Sequence, residues 1–489
     1  MADIWLDKLI GYFAPESGLR RSYARQTLDQ VRAYDGAKQG RRTSGWQASG
    51  SSANAEISAA LPKLRDRSRD LARNNPHAVS IFNKFVGHAI GTGITARWSD
   101  PDVTALWNQW CEVASAEDDL DFNGLQALAA RTMEESGEVI VRMRTRRPED
   151  GLPVPMQIQL LEPDFLDHSK TEDLKNGGYI INGVEFDAIG KVVAYWLFNR
   201  HPGEAGILFK PLSPSRVDAA DVLLVFKKTR PGQVRGVPRL APVLMKLRDL
   251  DDYDDAEMVR KKIEACFTAF VTSNDQGRSL GAQTDDGKGV GPRKSRVAPG
   301  QIEYLKPGES VDFGSPSASS DGEFPRRQLR TISAGTDSTY EQVTGDLSQV
   351  NYSSARVGLI DYRAVTEQWR WLTFIPLFLR PIARRWLQLA KLSRKVKGDP
   401  TVEWFVPRWE YVDPIKDAKG ELMLAAAGVL DLTDLQIGRG LDPDIQWEKV
   451  VKTHKKAQEA GVTLSYAGVT ISEAETATDQ PNSPAKSGA

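Results

Sequence analysis

The sequence predicts an α+β fold, mainly helical, on three observations. Apolar residues recur at helical spacing in two separated blocks, around 61–136 and from 238 onward. Between them, short β-branched runs at 139–143, 156–161, 178–186, 191–198 and 222–226 are bounded by turn residues. Cap and breaker residues stand where such elements should begin and end, as at Asn75-Pro76 before one helix and Gly91-Thr92-Gly93 after it.

The elements follow in order. Residues 1–60, with Gly36, Gly40, Gly45 and Gly50, read as a flexible arm. Helices are expected at 61–74, 76–90, 102–113 and 123–136; the second places Val79, Phe82, Phe85, Val86, Ala89 and Ile90 on one face. Within the β-rich stretch, 184–196 reads as a hairpin turning at 187–190. Pro238 and Pro242 open a long helix through Leu244, Leu247, Leu250 and Tyr253 to about Val271. The stretch 274–323, rich in Gly, Ser, Pro and Asp, interrupts two helices and offers a short strand pair at 302–305 and 310–313. Helix returns at 325–335 and over a tryptophan-bearing run at 353–397, where Pro376 and Pro381 are kink points. A strand at 401–406, helices at 414–430 and 432–460 and a low-complexity tail after Ser472 complete the chain.

Composition narrows the function classes. Sixty-four Lys and Arg stand against 65 Asp and Glu, a balance that excludes a protein coating nucleic acid by bulk charge. With 40% hydrophobic and 26% charged residues over 489 positions, whole-chain disorder is excluded and two to four domains are expected. Cys111 and Cys266 have no framework or zinc spacing, which fits a reducing compartment. Asp3 and Asp7 among the first apolar residues argue against a secretory signal. The most membrane-like stretch, 371–383, is shorter than the ~20 apolar residues of a spanning helix and reads as a buried, kinked helix.

Catalytic motifs are sparse. Gly281 to Gly289 resembles a phosphate loop but has one residue too many between its glycines, and a Gly follows Lys288 where a magnesium-binding Ser or Thr belongs. Asp249, Asp251, Asp252, Asp254, Asp255 and Glu257 spread around a helix and do not converge on a cation. They suit a solvated or intersubunit face, with Arg260, Lys261 and Lys262 of a neighbour as partners. His77, His88, His168, His201 and His454 lack metal-ligand spacing, so neither metal nor cofactor is expected. Around Arg363, Trp369, Arg370 and Trp371, the tryptophans are expected in a core and the arginines on helix surfaces. The loop cations Lys288, Arg293, Lys294 and Arg296 suit docking of an acidic partner.

Four collinear segments resemble the lambda-type family of tailed-bacteriophage portal proteins. They are 66–94, containing RSRDLARNNPHAVSIFNKFVGHAIGTGI; 235–270, beginning RGVPRLAPVLMKLRDLDDYDDAEM; 329–363, LRTISAGTDSTYEQVTGDLSQVNYSSARVGLIDYR; and 411–428, YVDPIKDAKGELMLAAAG. The third departs from the family's Gly-x-Pro-like step, reading Gly335-Thr336-Asp337-Ser338-Thr339 before Tyr340.

The resemblance implies a ring, usually of twelve subunits, around a channel for double-stranded DNA, with each subunit built from wing, stem, clip and crown. Carried onto this chain it implies an arm at 1–60, a wing at 61–235, a stem helix at 236–275, a clip at 276–324 and a second stem helix at 325–340. A tunnel loop and long wing helix would occupy 341–406, a crown 407–470 and a disordered tail 471–489. Ser348, Gln349, Val350, Asn351 and Tyr352 are the candidate channel-facing residues, and the clip cations the candidate docking point for terminase or adaptor. Implied partners are further copies of the chain, the terminase large subunit, major capsid and scaffold proteins, a head-tail adaptor and DNA in transit, with no membrane. The implied location is the virion, and the host cytoplasm during assembly. Two other readings stand beside it: a phage DNA-handling nuclease or ATPase using 249–257 or 281–289, and a binding module of the tail or capsid.

Overall fold

The computed structural model describes residues 48–204, 212–265 and 322–461, the single residues 16, 41, 44 and 45, and four strands in the region between the last two spans. The chain divides into two units, Met1–Glu56 and Ile57–Ala489. In the first, Ser51 Oγ donates to Glu56 Oε1 at 2.8 Å.

Helix α1, Ala53–Asn74, starts ahead of the expected residue 61. Ser52 Oγ accepts from Ala55 N near its start, and burial of Leu61 and Arg65 outweighs the hydrogen bond lost at the internal Pro62. Helix α2, Pro76–Ala89, forms as its cap signal requires, with Asn75 Oδ1 accepting from Ala78 N at 2.8 Å. Strand β1, Thr95–Trp98, then leads into α3, Pro101–Cys111, and α4, Phe122–Ser136.

Strands β2, Glu138–Thr145, β3, Met156–Leu161, and later β9, Val222–Phe226, form a three-stranded sheet ordered β3-β2-β9. A meander of β4, Glu172–Asp173, β5, Tyr179–Ile181, β6, Val184–Phe186, β7, Val192–Leu197, and β8, Ser215–Asp218, forms the five-stranded sheet. The expected run 178–186 is thus itself a tight hairpin. Asn182 at φ 50° and Gly183 at φ 84° supply its turn, in the left-handed region that Gly and Asn tolerate best.

Helix α5, Leu244–Ala265, is shorter than expected. Residues Ala269–Ser273, which helical periodicity would have continued, form β10 and pair with β13, Glu309–Phe313. Between them in sequence, β11, Gly281–Gln283, pairs with β12, Val290–Pro292. The expected strand at 302–305 lies outside the described residues.

Helices α6, Glu323–Gly335, and α7, Tyr340–Thr344, precede α8, Tyr352–Trp369. The next segment, Arg370–Leu379, is π-helical rather than kinked α-helix. The wider turn relieves the clash that the Pro376 ring would make with the carbonyl four residues back. Helix α9, Arg380–Leu392, and β14, Val402–Phe405, follow; β14 pairs antiparallel with β1. The expected helix at 432–460 is two helices. After α10, Pro414–Ala426, come α11, Leu432–Gly438, and α12, Pro443–Glu459, parted at Gly440, whose φ is 67°.

All pairings between these strands are antiparallel, and the class is α+β. The largest core joins α2, α3, α4, the π-helical segment and α9 around Trp107, Trp110, Phe122, Phe374, Phe378 and Trp386. A second core packs α1 and α2 on α5, α6 and α7 through Leu71, Phe82, Leu247, Ile332 and Val343. No helix among the described residues is long and apolar enough to cross a membrane.

Candidate channel loop and assembly surfaces

The residues expected to face a channel form a loop, 345–351, between two capped helices. Thr339 and Gln342 make a capping box at the start of α7, and Gly345, at φ 73°, ends it. Asn351 caps α8, its Oδ1 accepting from Ser354 N at 2.8 Å. Asn351 therefore has a structural duty that the sequence reading did not foresee. Tyr352 is the first residue of α8, and its side chain lies outside the described residues. Leu347, Ser348 and Gln349 are exposed, and Val350 is half-buried.

The loop is braced from outside itself. Arg326 Nη1 on α6 donates to Gln349 Oε1 at 3.1 Å, so a fixed cation stands beside a stretch read as free of positive charge. Asp346 accepts from Ser348 N at 2.9 Å. Hydrogen bonds from Ser348, with Arg326 nearby, hold its carboxyl below the ordinary carboxylate range. On the other side, Gln342 O accepts from Ser80 Oγ at 2.9 Å and ties α7 to α2. Arg326 was missed because α6 carries three arginines, and spacing alone does not say which one meets a loop more than twenty positions downstream.

Buried ions set the frame that carries α6 and α7. Arg239 donates to Glu134 on α4 at 2.9 Å and to the carbonyl of Thr336, which ends α6, at 2.6 Å. Glu138, at the start of β2, accepts from Arg65 at 3.1 Å, from Arg235 at 2.8 Å and from Gly236 N at 2.8 Å, all away from water. Burial lowers the pKa of Arg65, opposed by Glu138 and Asp164. Gly236 must be glycine, because a Cβ there would overlap the carbonyl of Gly137.

The acidic residues of α5 do not converge. Asp251 accepts from Asn75 Nδ2 at 2.8 Å, Asp252 pairs with Arg248 at 3.2 Å and Glu257 pairs with Arg260 at 2.5 Å. Asp252, Asp254, Asp255, Lys261 and Lys262 are exposed, as are Met245, Met258 and Val259. Gly281 and Gln283 belong to the hairpin strand β11, so the phosphate-loop candidate begins within a strand rather than after one. Lys288, Arg293, Lys294 and Arg296 lie outside the described residues.

Two further clusters were not foreseen. Glu162, Asp164 and His201 come together, but Arg69 meets Asp164 at 2.6 Å and Glu162 at 3.1 Å, and Arg65 meets Asp164 at 3.3 Å. A divalent cation would have to displace two guanidinium groups there. A cavity of about 540 Å3 opens beside His88, Arg363, Arg408, Trp409 and Arg439. Its arginines are committed: Arg363 to the carbonyl of Glu410, Arg408 to Glu410, and Arg439 to Glu421. Arg370, expected on a surface, is buried; it donates to the carbonyls of His88 and Ala89, the unpaired end of α2. Trp369 lies in the core as expected, whereas Trp371 is exposed.

An exposed, braced loop and the exposed Met245, Met258 and Val259 on α5 suit a subunit that meets neighbours. The family model described as "Phage portal protein, lambda family" matches residues 39–370, and the chain belongs to that family. It is similar to the probable portal protein of Halomonas phage phiHAP-1, 25% identical over 94% of each chain. It is also similar to the portal protein of Escherichia phage N15, at 22% identity over 86% of this chain and 88% of that one. Portal protein B of Escherichia phage lambda is 21% identical over 78% of this chain and 82% of its own. A chain in the virion of a native gene transfer agent particle aligns over 79% of this chain and 94% of its own, at 15% identity and a TM-score of 0.44. The protein is thus a virion component of the phage portal vertex, acting in genome packaging, and its family is a structural one.

Proposed function

We propose that copies of this chain close into a ring of about twelve around a channel for double-stranded DNA, with loop 345–351 lining that channel. The loop's construction carries the reading: it is short, mostly polar and mostly exposed, both flanking helices are capped, and Ser80 ties α7 to α2. DNA that must slide is best met by groups that touch it without binding phosphates strongly, since each released counterion deepens binding. Leu347, Ser348 and Gln349 are exposed side chains of the loop, and among the described residues Arg326 behind Gln349 is the one cation bonded to them.

In this reading residues 61–235 are the wing, 236–275 and 325–340 the stem, 276–324 the clip, 341–406 the tunnel loop with its long wing helix, and 407–470 the crown. Asp252, Asp254 and Asp255 of one subunit face Arg260, Lys261 and Lys262 of the next, around the exposed Met258 and Val259. Asp251, Asp252 and Arg260 take a smaller part, because Asn75, Arg248 and Glu257 already hold them. The clip cations receive the terminase large subunit during packaging in the host cytoplasm and the head-tail adaptor afterwards. Capsid and scaffold proteins surround the wing.

The test is a head-filling assay with Ser348→Arg and Gln349→Arg together, leaving the Asn351 cap intact. Packaging should slow or stall; filling at the wild-type rate would contradict the loop's placement.

A further inference from the structure

Strand β2 carries Arg142 and Arg144 at alternate positions, and Arg146 follows one residue past its end. Arg146 still keeps the ladder, donating its N–H to the carbonyl of Pro155 at 2.9 Å. The three side chains therefore share one face of the three-stranded sheet, and all three are half-buried. Same-face residues recur about every 6.8 Å along such a strand, so the row spans about 14 Å.

No carboxylate answers this charge: among the described residues, none of the three arginines has an acidic group within ion-pair distance. Neutral amides hold two of them instead. Gln159 Oε1 accepts from Arg144 Nε at 3.1 Å and Nη2 at 2.6 Å, and Gln157 Oε1 accepts from Arg146 Nε at 2.8 Å. Gln157 is fixed in turn, its Nε2 donating to the carbonyls of Val113 at 3.1 Å and Ser115 at 2.7 Å. The acids around this sheet are turned to other groups. Asp118 accepts from Gln157 Nε2 at 3.2 Å, Asp119 from Ser115 Oγ at 2.7 Å and Asp221 from Arg385 at 2.7 Å. Burial, then Arg142 and Arg146, pushes the pKa of Arg144 below the ordinary arginine value. Three guanidinium groups that repel one another and are backed only by amides form a site for an anion that the lone chain does not supply.

We propose that this arginine row binds the phosphate backbone of duplex DNA, as a contact separate from loop 345–351. About 14 Å of duplex carries about eight phosphates, so the row finds partners whatever the sequence or register. A protein partner would instead need three carboxylates set at matching alternate positions. The family acts in genome packaging, which brings DNA to the chain. Three phosphate contacts make a weak, salt-sensitive grip, in keeping with the near-neutral total charge. The proposal rests on the portal reading and adds to it a DNA contact on the wing.

The experiment is fluorescence anisotropy of a labelled mixed-sequence duplex with the purified full-length chain across a salt series, with circular dichroism and mass photometry run on every variant. The logarithm of the wild-type binding constant should fall linearly with the logarithm of salt. That slope should become shallower by about 0.9 in Arg142→Gln, and by about 2.7 when Arg142→Gln, Arg144→Gln and Arg146→Gln are combined. The corresponding triple lysine variant keeps the charge and should keep most of the slope. A folded glutamine triple with the wild-type slope would overturn the site, as would a lysine triple that loses as much slope as the glutamine one. A glutamine triple that folds but no longer forms the wild-type oligomer would also overturn it, because the arginines would then be meeting a neighbouring subunit. Wild-type protein that forms no ring, while the slope still falls as arginines are removed, would overturn the ring reading and leave the DNA contact standing.

Discussion

Glu138 shows how much one side chain carries here. Its carboxylate sits fully buried between Arg65 and Arg235, and Asp164 on Arg65 brings the group to charge balance. Replacing Glu138 with Gln keeps the shape and leaves two guanidinium groups in low dielectric with too little negative charge. A loss of about 3–5 kcal/mol in urea unfolding is expected; a loss below about 1 kcal/mol would mean that water reaches the site. His88 and His168 act in the opposite sense. Burial, then nearby arginines, lowers both pKa values below the ordinary 6.5, so each is harder to protonate in the folded chain than in the unfolded one. Above that pH both folded and unfolded chains leave them neutral. As pH falls through it, the unfolded chain takes up protons that the folded chain refuses, and stability drops. The thermal midpoint should therefore fall between pH 7 and pH 5.5, and His88→Asn should flatten that fall; an unchanged slope would remove His88 from the account. None of this was legible from residue type alone. Arg370 illustrates why: an arginine on a helix is normally a surface residue, and its burial follows only from the unpaired carbonyls of His88 and Ala89 that it meets.

Elements announced themselves where a local signal decides them. Helix α2 was legible because Asn75, Pro76 and the Phe82–Phe85 face agree, and β3 and β9 because short β-branched runs end in turn residues. Strand β1 was not, since Thr95–Trp98 becomes a strand only by pairing with a partner that begins at Val402. The same holds for β10, where helical periodicity ran on into residues that Glu309–Phe313 claims for a sheet. Asn75 has a second role that the cap signal did not reveal, donating to Asp251 on α5 while accepting from Ala78 N. Asn75→Ala should cost about 1–2 kcal/mol in chemical unfolding through the lost cap. Asn75→Asp keeps a capping oxygen but sets two carboxylates against each other, so it should recover little of that loss near neutral pH and more of it on acidification. Full recovery by Asp at neutral pH would show that the Asp251 contact contributes nothing.

At the scale of the whole molecule, the tunnel-loop candidate was legible as a position and not as a construction. The sequence motif located Ser348 and Gln349, but Arg326 on α6, the Asn351 cap and the Ser80 tether became visible only through tertiary contacts. Near-equal numbers of acidic and basic residues suit a protein that surrounds DNA without gripping it. Open apolar faces on α5, α10 and α12 suit a fold completed by its neighbours. Negative-stain microscopy of the purified protein shows whether the ring closes. Rotationally symmetric rings with a central hole wide enough for duplex DNA are expected; a uniform field of single subunits, or of particles without a central hole, would contradict a closed ring.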